Sequence, residues 1–64
     1  MTKEQAIQAM KKGERVRHRF FTSDEHIFLK GEIVHDEDGF NLGTISDFFK
    51  YRKDAAFDND WEIV

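Results

Sequence analysis

Residues 6–20 read AIQAMKKGERVRHRF, and the change of period inside this stretch decides the fold class. Before Gly13 the apolar residues Ala6, Ile7 and Met10 recur at helical spacing and make one stripe. After it, Arg15, Arg17 and Arg19 alternate with Val16, His18 and Phe20, which is the period of a strand. The helix is expected from about Thr2 to Lys12. Thr2 and Gln5 fit a capping box, in which a hydroxyl and an amide satisfy each other's main-chain N–H. Lys11 and Lys12 place cations at the negative end of the helix dipole. Gly13 then offers the left-handed stop conformation. In the strand that follows, the arginines form one basic face, and Val16, His18 and Phe20 are expected to point into the core.

Downstream of this stretch the pattern remains short and antiparallel. TSDE at 22–25 has turn composition. HIFLK and GEIVH, residues 26–35, read as two strands joined around Lys30-Gly31. DEDG at 36–39 is an acidic turn, and FNL at 40–42 supplies a short further strand of the meander. Gly43 is expected to break it. Thr44 or Ser46 then caps a short helix over SDFFKYRKDAA, residues 46–56, with Asp47 early and Lys50, Arg52 and Lys53 late. A strand is the alternative there, because Phe48, Phe49 and Tyr51 favour sheets. In the closing DNDWEIV, Trp61 and Ile63 alternate with Glu62 and Val64, so a final strand is expected. The fold class is therefore α+β. An N-terminal helix packs on an antiparallel β-meander, followed by a short second helix and a closing C-terminal strand, in one domain over residues 1–64.

A chain of 64 residues without cysteine has no disulfide or thiolate metal site to reinforce a thin core. It also carries seven Phe, one Tyr and one Trp, more rings than a small monomer readily hides. Both features point to a homo-oligomer. Charge is divided unevenly. Residues 1–21 hold six basic and two acidic side chains, whereas residues 22–64 hold four basic and eleven acidic ones. The basic segment is expected to meet the acidic half of its own chain or of a second copy; phosphate is the alternative. The net charge of −3 argues against a nucleic-acid partner. No apolar run approaches a membrane span. The opening MTKEQAIQAMKKG lacks a signal-peptide core, so a cytoplasmic location is expected.

Catalytic patterns are sparse. His18, His26 and His35 lie eight and nine residues apart, without short zinc-motif spacing. DEDG lacks the alternating acids and terminal glutamate of a calcium loop and reads as a turn. The hydroxyls are explained as caps and turn formers. Asp58 and Asp60 could share a strand face, but acid–base work needs a desolvated pocket that separates their pKa values. The four glycines are isolated, so any phosphate recognition falls to Arg15, Arg17 and Arg19. The expectation is a binding protein with no catalytic residue, metal or cofactor.

Three stretches, EQAIQAMKKGERVRHRFF, IFLKGEIVHDEDGF and DNDWEIV, together resemble a group of very small phage proteins. That group opens with a helix of the form EALxxLKxGKKVxRxxW and closes with a DDWE strand. It includes the second type of Thoeris anti-defence protein. The resemblance spans most of the chain and is anchored at its ends. It implies a homo-oligomeric sponge that sequesters a cyclic or ADP-ribose-derived nucleotide signal of bacterial immunity without cleaving it. Its pockets would lie between subunits. The implied contacts are His18 and Phe21 on the second element, with Asp60 and Trp61 on the last. Arg19 joins them on the charge argument. Phe21 stands where the group usually has tryptophan and His18 where it usually has arginine, and characterised members are longer in the middle. A protein-interaction module that inhibits a host protein through its aromatic and acidic surface is the competing expectation.

Overall fold

A computed structural model describes residues 1–64. The first helix, α1, runs from Lys3 to Lys11. Thr2 accepts from the Gln5 N–H at 3.1 Å, and the Gln5 side chain accepts from the Thr2 N–H at 2.9 Å, so the capping box is complete. Its apolar stripe buries Ala6, Ala9 and Met10. Gly13 stops the helix at φ +93, a conformation that costs glycine little.

Five short strands follow: β1 (Val16–His18), β2 (Ile27–Lys30), β3 (Ile33–Asp36), β4 (Asn41–Thr44) and β5 (Trp61–Ile63). They form one antiparallel sheet in the order β4-β3-β2-β1-β5. The last strand therefore docks beside the first. Val16 opposes Ile63, Arg17 opposes Glu62 and His18 opposes Trp61. This pairing brings the two ends of the chain into contact.

β1 is shorter than its alternation suggests. Phe21 N–H turns back to the His18 carbonyl at 2.9 Å, and Arg19 N–H reaches the Asp60 carbonyl at 3.0 Å. The strand ends at His18, so Phe20 does not enter the core but stands 63% exposed. Gly43 departs from expectation in the other direction. At φ +86 it lies inside β4, where the register against β3 shifts, instead of ending the strand. A Cβ there would sit 2.8 Å from that of Asp47.

The second helix, α2, spans Ile45–Lys50. Thr44, not Ser46, is its cap: Asp47 N–H donates to the Thr44 hydroxyl, and the Asp47 carboxylate accepts from Thr44 N–H. Residues 46–56 are not one helix. α2 stops at Lys50, and a separate 3-10 turn over Ala55–Asp58 is capped by the Asp54 carboxylate.

Both helices lie on one face of the sheet. The core joins Ala6, Ala9 and Met10 of α1 and Phe48 and Phe49 of α2 to Val16, Ile27, Val34 and Trp61 of the strands. Of the nine aromatics, Phe48, Phe49 and Trp61 are buried, while Phe20, Phe40 and Tyr51 remain exposed. No helix is long and apolar enough to cross a membrane.

Candidate functional site

The five residues singled out from the sequence gather at one corner, where β1 and β5 end. Antiparallel pairing sets His18 opposite Trp61, with ring centroids 5.0 Å apart. Phe21 folds back so that its ring meets Trp61 edge-on at 5.7 Å. Arg19 and Asp60 form an ion pair at 3.7 Å on the outside. Asp60 is the one non-glycine residue with positive φ, +69, a conformation that Asn and Asp tolerate better than most residues. That backbone twist lets its carbonyl meet Arg19.

The corner has a buried base and an exposed rim. His18 is fully buried and Trp61 is 2% exposed. His18 Nδ1 accepts from the Phe20 N–H at 3.1 Å, and Nε2 faces the Ala56 carbonyl at 2.8 Å. One partner only donates and the other only accepts, so the ring is the neutral Nε2–H tautomer with both nitrogens engaged. Trp61 donates its indole N–H to the Phe57 carbonyl at 2.8 Å and packs against Phe21, Phe49 and Phe57. Neither ring has a polar atom left over for phosphate or a free face for a base. His18 and Trp61 are thus committed to the core, and only the rim is open to contact from outside. Phe21 is half-buried against the same core.

On the rim, Arg19 and Asp60 keep side-chain exposures of 71% and 53%. Phe20, read as a core residue from its alternation, stands beside them. The Arg19 guanidinium lies 5.9 Å from the Phe20 ring centre, and His18 supports that ring edge-on at 5.2 Å. Phe20 is not among the five because its alternation with Val16 and His18 places it in the core, whereas it is 63% exposed. The FF pair followed at once by TSDE marked a strand running into a turn, which is where alternation stops being informative.

Arg17 borders the same corner. It donates to Glu62 at 2.6 Å and to the carbonyls of Phe21 and Thr22. The basic segment thus meets acids of its own chain at two positions, Arg17–Glu62 and Arg19–Asp60. Between these pairs lies an open depression of about 450 Å³ lined by Met1, Arg17, Arg19, Asp60, Trp61 and Glu62. It is shallow and open to solvent.

Elsewhere, the carboxylates of Asp36, Glu37 and Asp38 converge within 4.8 Å. Asp36 already accepts from the N–H groups of Asp38 and Phe40, each at 2.9 Å, which is the bonding of a side-chain-closed turn. No family model, curated protein or solved structure matches the chain.

Proposed function

We propose that the protein is a non-catalytic binder that sequesters a nucleotide-type signal at the β1–β5 corner, with copies of the chain completing the pocket. This is the activity implied by its resemblance to the small phage anti-defence proteins, whose setting would be the cytoplasm of an infected host. The observation that supports it is the exposed group of Arg19, Phe20 and Asp60 raised on the buried His18–Trp61 pair. Arg19 supplies forked donors for a phosphate. Phe20 supplies a ring face for a base. Asp60 accepts from ribose hydroxyls or from the donor edge of a base. Rigid packing beneath keeps this group in place before ligand arrives, which lowers the ordering cost of binding. The depression is too shallow to surround a nucleotide alone, and that is why a second copy is part of the proposal.

The test is a mixture of the protein with cyclic dinucleotides and ADP-ribose derivatives, followed by thermal melting and chromatography of the released ligand. A raised Tm with one of them and recovery of that compound intact are expected. A degraded ligand would point to an enzyme, and no shift with any of them would remove the reading. A second reading, a module that inhibits a host protein, draws on Phe40. This ring is 67% exposed and directly follows the acidic turn at 36–39, making an aromatic and acidic patch away from the corner. Co-purification of one specific bacterial protein, lost on Phe40→Ala, would favour it.

A further inference from the structure

The sheet has a second face that no helix covers. Strand alternation directs Arg17, Phe28, Lys30, Ile33, His35 and Glu62 to it, since each pairs across with another member or alternates with a core residue. None of them belongs to the buried core. Phe28 sits at its centre, half-buried, with three neighbours. His35 stacks on it across β2–β3 with centroids 5.7 Å apart and planes 21° from parallel. His26, two residues earlier in the chain, lies 6.3 Å away with its plane tilted by 39°. The Arg15 guanidinium stands 5.5 Å from its ring centre. The result is a cluster of three flat rings with a cation beside it.

Charge on this face has the opposite sign to that of the whole chain. Arg15, Arg17 and Lys30 are set against Glu62, which Arg17 already holds at 2.6 Å, while His26 at the edge lines a depression with Glu25, Asp36 and Glu37. Arg15 and Lys30 have no acidic partner within ion-pair distance. The net charge of −3 is therefore carried elsewhere on the molecule. The expectation against nucleic acid rested on the sum of charges, and the fold separates them.

We propose that this face binds a short stretch of single-stranded nucleic acid. Bases would stack on Phe28, His35 and His26, and phosphates would meet Arg15 and Lys30. A second copy of the chain fits the face less well. Two-fold packing would set unpaired cations against unpaired cations. A small free ligand needs a concave site, and no cavity is lined by Phe28 or His35. The proposal is independent of the corner site and does not rest on it.

The test is fluorescence anisotropy of a short labelled oligothymidylate, and of its RNA counterpart, titrated with the full chain at low salt. Labelled duplex serves as the control. Binding to the single strands above the duplex is expected. Phe28→Leu, which keeps apolar volume but loses the ring, should weaken it about 5- to 150-fold, the range for one stacked base. Arg15→Ala should make the dependence of log Kd on log salt shallower by about 0.7, one phosphate contact on a single strand. Circular dichroism establishes that both variants fold, and Phe28→Tyr, which restores a ring, should recover affinity. The proposal is overturned by absence of binding at low salt or by equal affinity in wild type and Phe28→Leu. It is equally overturned if light scattering shows Phe28→Leu dissociating an oligomer, because the face would then be a self-interface.

Discussion

The two faces of this sheet are built from the same strands, one residue out of step, and share almost no chemistry. The covered face carries Val16, Ile27, Val34 and Trp61 against two helices, with His18 as its single buried polar residue. The open face carries arginines, a lysine, two imidazoles and one half-buried ring. In so small a chain the covered face has little to spare, because a domain of this length is worth roughly 3–10 kcal/mol at the usual stability per residue. Its residues are committed to holding the fold. The open face and the exposed rim at Arg19, Phe20 and Asp60 are freer to change without unfolding the chain, and both proposed sites lie there.

The sharpest way to break that contrast is Trp61→Ala. Trp61 is the largest buried side chain and joins β1, α2 and the 3-10 turn. Its loss should cost about 3–5 kcal/mol, a large part of the total stability. Urea unfolding followed by circular dichroism should show a transition at much lower denaturant or none. A variant as stable as wild type would mean that the covered face does not hold the fold.

His18→Ala should come next. It leaves the Phe20 N–H and the Ala56 carbonyl without their partner and opens a cavity under Trp61. A loss of about 2–4 kcal/mol is expected in the same assay. Because His18 also supports the Phe20 ring, nucleotide affinity should fall with stability. Lost affinity with unchanged stability would instead mark His18 as a direct contact. The smallest effect belongs to the open face. Glu62→Gln should cost only about 0.2–1 kcal/mol and matter less in high salt. Arg17→Ala should cost more, since that guanidinium also holds the carbonyls of Phe21 and Thr22. A double-mutant cycle in urea separates the two contributions.

Local patterns carried most of the fold. The Thr2–Gln5 box and the two strands within residues 26–35 were legible, because each depends on neighbours in sequence; the charge division showed that the basic segment would meet acids but not that Arg17 would meet Glu62. Long-range geometry was less so. Nothing in RHRFF shows that the strand stops at His18; the Asp60 carbonyl, 41 positions after Arg19, ends it. The break of 46–56 into α2 and a 3-10 turn answers to the carbonyl of Ala56 reaching His18. Among the site residues, the burial of His18 was readable from its alternation with Val16, but the exposure of Phe20 was not. His18 and Trp61 alternate into the core, and Arg19, Phe20 and Asp60 stay outside it because β1 ends and β5 begins there.

Calorimetric titration of nucleotide signals into the wild type and into an Arg19→Ala/Phe20→Ala double variant tests the corner most directly. Both side chains are exposed, so the variant should remain folded, with each substitution changing stability by about 0.5 kcal/mol or less. Saturable heat with the wild type, and at least about tenfold weaker binding in the double variant, is the expected result. Equal affinity in the two proteins, or no binding by a well-folded wild type, would contradict it.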